Sequence, residues 1–148
     1  MRTELILVAI ISAIGIALLF LGQHAARIRK QARFASRDPW SIETFKDAVL
    51  CDELSQADIL FVLDALAKEI EVDRAMLRPE DRFSFELRPE AGWEFDDGLP
   101  LVGKSIESRF NAACGRFSID KYHDIMHLVS DINAFVKHRK VMDNSVPG

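Results

Sequence analysis

Apolar residues are arranged along this chain in two different ways. Residues 5–22 (LILVAIISAIGIALLFLG), opened by Leu5 and closed by Gly22, form one run of 18 residues without a charge. At about 1.5 Å per residue the run makes roughly 27 Å of helix, close to the ~30 Å hydrocarbon thickness of a bilayer. This predicts a transmembrane helix. A cleaved leader fits less well, because Glu4 interrupts its basic start, the run is long for such a segment, and GQHAARIRK is a poor cleavage site.

Beyond this run the apolar positions recur at helical spacing. The anchor helix is expected to continue to about Ala35, where SRDPW breaks it, because Pro39 disfavours helix in the residue before it. Ser41 can cap a short helix, IETFKDAVL, with Phe45 and Val49 on one face. Ser55 starts the next helix, from Gln56 to Ile70, whose stripe is Ile59, Leu60, Leu63, Leu66, Ala67 and Ile70. DRAMLRPEDRFSFELRPEAGW follows. Phe83, Phe85 and Leu87 alternate in it too briefly for a strand, so it reads as a long loop pinned into the core by aromatics. Leu99, Val102, Ile106 and Phe110 then mark one face of a helix that Asp96 or Asp97 can cap. A last helical region starts at Ser118 or Asp120 and runs to about Lys140, with Ile125, Leu128, Val129, Ile132, Phe135 and Val136 as its stripe.

The expected fold class is therefore all-α: a small helical bundle with a long loop after its first helix, preceded by one N-terminal transmembrane helix. Residues 1–36 form the anchor and its basic flank, 37–55 a linker with a short helix, 56–140 the helical domain, and 141–148 a disordered tail.

Charge separates the same two parts. Residues 1–37 carry six Lys/Arg against one acid, a net of +5, and residues 38–148 carry thirteen against twenty-two, a net of −9. Arg27, Arg29, Lys30, Arg33 and Arg37 crowd the far flank of the apolar run, against Arg2 before it. The positive-inside rule then places the domain on the cytoplasmic side of the cell (inner) membrane. A domain this acidic repels nucleic-acid phosphates. It is suited to a basic protein partner, and equally to simple solubility. Cys51 and Cys114 have no C-x-x-C pairing and read as small apolar residues, not as a disulfide or a metal pair.

Two short motifs suggest chemistry. GLPLVGKS satisfies G-x-x-x-x-G-K-[ST] through Gly98, Gly103, Lys104 and Ser105. The polar segment before it is no buried strand, Pro100 lacks an N–H, and Asp96 and Asp97 would repel a triphosphate. No nucleotide is expected. HDIMH places His123 and His127 four apart, an echo of a zinc-binding pair, with His138 the available third ligand. These histidines are read as edging the bundle, and no metal, cofactor or catalytic residue is expected. Trp40 and Trp93 are expected to anchor the core.

From Asp96 through Phe110, DDGLPLVGKSIESRF resembles the second helix of an acyl carrier protein, with Val102, Ile106, Glu107 and Phe110 keeping the family's spacing and Leu101 one residue off register. LAKEIEVDRAMLRPEDRF resembles the end of that family's first helix and its loop, through Ile70, Val72, Leu77 and Phe83. FSIDKYHDIMHLVSDINAFVKH resembles its closing helices, through Ile119, Val129, Asp131, Ile132, Phe135 and Val136. Serine-less, membrane-anchored carrier-like domains of bacteria look similar. The resemblance implies an acyl-carrier-like bundle over residues 56–140. It also implies a phosphopantetheine serine where this chain has Asp96 and Asp97, so the implied function is a non-catalytic, membrane-tethered protein-interaction module. Trp93, Asp96, Asp97 and Glu107 are the expected partner surface. The alternative is a working acyl or peptidyl carrier modified at a non-standard residue, with Ser105 and Ser84 the hydroxyls available, serving membrane-bound acyl chemistry.

Overall fold

A computed structural model describes residues 2–88 and 98–144, with the side chains of residues 2–5, 23, 26, 27 and 144 outside the description. Among the described residues all regular structure is helical: α1 (Arg2–Ala35), α2 (Ile42–Val49), α3 (Gln56–Ile70), α4 (Gly98–Phe110) and α5 (Ile125–Asn144), with 3-10 turns at Arg74–Met76 and Ile119–Lys121. The one pairing of extended chain among them is an isolated antiparallel bridge between Arg82 and Asp124.

The helix ends are set by local chemistry. Ser41 has extended backbone and its Oγ accepts from the Thr44 N–H at 3.1 Å, which starts α2. At α3 the Asp58 N–H donates to Ser55 Oγ and Ser55 Oγ donates to the Asp58 carboxylate at 2.6 Å, a reciprocal cap. Both helices close through a residue in the left-handed region, Leu50 (φ 54°) and Glu71 (φ 56°), whose N–H turns back onto the last carbonyls.

The core lies where α3 packs on α4, with α5 and the loop residues Leu77, Phe83 and Leu87 closing it. Leu66, Ile106, Ile125, Leu128 and Ile132 are fully buried, each contributing about 1.5–3 kcal/mol. In α3 the buried stripe includes Val62, while Leu60 sits at its edge.

Four expectations change. Residues 37–55 are no linker: Phe45, Val49, Cys51 and Leu54 are buried in the same core as α3 and α4, because α2 packs directly on α3. Phe85 does not pin the loop; it is 58% exposed, because residues 82–87 form a compact turn in which the Phe85 and Leu87 N–H groups both bond to Arg82 O. The closing helix starts at Ile125 and not at Ser118 or Asp120. The backbone between is diverted so that His123 O accepts from Phe83 N at 3.0 Å, and the Asp124 carboxylate then caps the new helix at the His127 N–H. That helix reaches Asn144, so residues 141–144 are helical where a tail was expected. Residues 145–148 lie outside the described residues.

α1 ends at Ala35, as the proline predicts. Its large apolar side chains from Ile6 to Leu21 are each 51–68% exposed, on every side of the helix. No helix among the described residues is long and apolar enough to cross a membrane. Of the expected span, Leu5 lies outside the described side chains, which begin at Ile6.

Candidate functional site

Trp93, Asp96 and Asp97 of the expected partner surface fall outside the described residues; α4 begins at the residue immediately after Asp97. Glu107 requires a correction. It is 7% exposed, and its Oε1 accepts from the buried Phe117 N–H at 2.9 Å, so it faces inward and offers nothing to a partner. The physical reason is the width of the α4 buried face. Gly98, Val102, Gly103, Ile106, Glu107 and Phe110 are all covered, a broader stripe than the spacing of large apolar residues alone suggests.

The same packing explains the phosphate-loop spelling. A Cβ on Gly103 would stand 2.6 Å from Phe117 O, so the glycine lets the chain at Phe117 cross α4 against its backbone. Gly103, Lys104 and Ser105 lie inside the helix, where their N–H groups are spent on helical bonds, and Ser105 Oγ donates to Leu101 O at 3.0 Å. The converging N–H groups of a phosphate cradle are not formed here.

HDIMH is also divided. His123 precedes α5 and His127 lies on it, so they do not share one helical face. His127 stacks edge-on against Tyr122, centroids 5.5 Å apart, and His138 lies eleven residues along, about 16 Å of helix. Among the described residues no group of three metal-ligating side chains comes together.

The structure assembles two polar clusters that the spacing of residues does not announce. In the first, Arg116 clamps Asp131 through Nη1 and Nη2, at 2.6 and 2.8 Å, while Tyr122 Oη donates to Asp131 Oδ2 at 2.7 Å. The hydrogen bonds from Arg116 hold the Asp131 carboxyl below its usual range. Burial, reinforced by the bond to Asp131, pushes the Tyr122 hydroxyl upward. Asp131 thus stays charged and Tyr122 protonated near neutral pH, an arrangement that ties the residue 116–122 loop to α5.

In the second cluster Asp81, 2% exposed, accepts from Arg37 Nη1 and from the Arg78 N–H, each at 2.8 Å. Arg37 also donates to Met76 O at 2.9 Å, and Arg78 lies over the Trp40 ring, 4.5 Å from its centroid. Trp40 is half-buried there against the core. The Asp81 hydrogen bond raises the already high pKa of Arg37, so the guanidinium keeps its charge. The signal available in sequence was RPED at residues 78–81, a turn whose aspartate can reach back to the N–H of its first residue.

Surface grooves also lie among the described residues. One of about 370 Å³ runs between α2, α3 and the Arg74 turn, lined by Trp40, Ile42, Phe45, Leu60 and Leu63. A second, about 380 Å³, lies beside α5 at Arg116, Phe135, His138, Arg139 and Met142, and an open one of about 460 Å³ crosses Phe61, Leu101, Lys104 and Arg109. None holds a buried polar group lacking a partner: among the described residues every buried side-chain nitrogen and oxygen is hydrogen-bonded. The grooves are shallow seams between helices, and the buried polar side chains serve the packing. Comparison with protein-family models, with curated proteins and with solved structures finds no match to this chain.

Proposed function

We propose that this chain is a single-pass, membrane-tethered helical module whose folded part works by binding another protein and not by catalysis. The observation that carries the reading is the bare apolar half of α1. Its large apolar side chains from Ile6 to Leu21 are more than half exposed around the whole circumference, whereas toward the end of the same helix Lys30 and Phe34 are buried against the domain. Apolar surface exposed on every side of a helix has one solvent that suits it, hydrocarbon. The uncharged run from Leu5 to Gly22 and the basic flank beyond it support a span with the domain cytoplasmic. The order of α3, a long connection, α4, a 3-10 turn and α5 supports an acyl-carrier-like arrangement. Within it, Asp96 and Asp97 stand where a carrier keeps its serine. Exposed acids such as Asp47 and Asp52 on and after α2, which form no ion pair among the described residues, support a basic partner.

Alkaline carbonate washing of host membranes tests the anchor. The full chain stays in the pellet, and a chain lacking residues 2–22 moves to the supernatant. Release of the full chain by the wash overturns the reading. Intact mass after incubation with coenzyme A and a phosphopantetheinyl transferase tests the rest: an unchanged mass is expected, and a gained arm instead makes the chain a working carrier.

A further inference from the structure

The anchor and the domain are joined in an uncommon way. A tethered domain usually hangs on a segment that can bend, and the break in this chain, SRDPW, comes only after α1 has already docked. Contacts over about two turns make that docking. Lys30 is 5% exposed and its Nζ donates to Arg88 O at 3.1 Å, while Gln31 Nε2 reaches Glu71 O at 3.5 Å. One turn on, Phe34 is 3% exposed in the core. Just past the helix end, Arg37 packs over the Phe34 ring, 4.5 Å from its centroid, and locks onto the buried Asp81. Contacts separated along roughly 10 Å of helix fix its tilt as well as its position. Between Gly22 and Lys30 there is no proline or further glycine, only about 12 Å of continuous helix.

We infer that α1 is a rigid post: it holds the domain as one body with the membrane span, at a set height and in a set orientation. The inference rests on the membrane-anchor reading for what the post stands in. Because height follows residue order along α1, the docking contacts at Glu71 and Arg88 stand nearer the bilayer than the one at Asp81. Their partners Lys30 and Gln31 come before Phe34 and Arg37 on the post. The domain begins about 12 Å beyond the apolar run, outside a headgroup layer of roughly 6 Å. A partner for this domain must therefore bind at a defined distance from the membrane surface, which favours another membrane-bound protein over a freely diffusing one.

Spin labels on Leu21→Cys and Lys137→Cys of the full chain, with Cys114→Ser removing the exposed native thiol, read the coupling as a distance distribution in detergent and in lipid nanodiscs. A Glu69→Cys and Lys137→Cys pair, both sites within the domain, is the reference. The post predicts one narrow distribution of about the reference width. Inserting about six Gly-Ser residues after Ala25, which leaves the domain packing untouched, adds about 13 Å of r.m.s. freedom and broadens it at least twofold. A chain without the insert that is already as broad as the inserted one overturns the inference. Failure of the full chain to remain in membranes instead overturns the anchor reading, and the measurement in detergent still decides the coupling.

Discussion

Glu107 shows how a single side chain can carry the opposite meaning once its surroundings are known. In the sequence it is one acid among many on a helix that ought to face a partner; in the fold it satisfies the N–H of Phe117 where that chain crosses Gly103. An unpaired buried N–H costs about 1–3 kcal/mol. Glu107→Ala is thus expected to destabilise the full chain by that amount, while Glu107→Gln, which keeps a carbonyl oxygen in place, stays within about 1 kcal/mol of the parent. Thermal unfolding in detergent separates the two, and equal losses would remove the hydrogen bond as the cause. Gly103 was legible as a glycine in a motif, but its purpose was not. The constraint is the carbonyl of Phe117, beyond the end of α4 in sequence, and only folding brings it to the missing Cβ.

At the scale of elements, the helices were read well and the connections poorly. Ser41 and Ser55 announce α2 and α3 because a cap is a local hydrogen bond between residues three apart. The split between the Ile119–Lys121 turn and α5 is not local: it is imposed by Phe83 bonding to His123 O and stabilised by the Arg116, Asp131 and Tyr122 cluster. That cluster carries a pH dependence. The folded pKa of Asp131 lies below its unfolded value of 3.8, so its contribution is present above that value and is lost as pH falls through the folded pKa. The melting temperature of the parent should fall as acid is added below about pH 4, and Asp131→Asn should fall less steeply. Burial, the largest influence on Asp58 and Glu86, pushes both upward, yet hydrogen bonds leave both lowered, so the variant keeps part of the slope. An unchanged slope in the variant would remove Asp131 from the account.

For the whole molecule, the decisive joint is between the end of α1 and the loop at Asp81. Arg37→Ala would leave a carboxylate with a 3% exposed side chain facing one N–H. Stranding one member of a buried pair costs about 3–5 kcal/mol, and because Arg37 is itself 26% exposed the expected loss is nearer 2–3. Arg37→Lys restores the charge without the second bond to Met76 O, so it should recover only part of that loss, as denaturant midpoints would show. A loss no larger than a surface substitution gives would mean that the joint is held without the Arg37–Asp81 pair.

The sequence by itself determined what depends on neighbours in the chain: the uncharged run from Leu5 to Gly22, the end of its helix before Pro39, the caps at Ser41 and Ser55, and the apolar stripes that make the domain all-α. Periodicity and capping act over one or two turns, so they can be read one residue at a time. Only the tertiary structure decided which polar residues are interior. It turned Glu107 inward, used Asp81 and Asp131 as clasps, parted His123 from His127, and drew residues 37–55 into the core. Those outcomes depend on contacts between residues ten to more than forty apart, where a buried charge is tolerated only if a distant partner meets it.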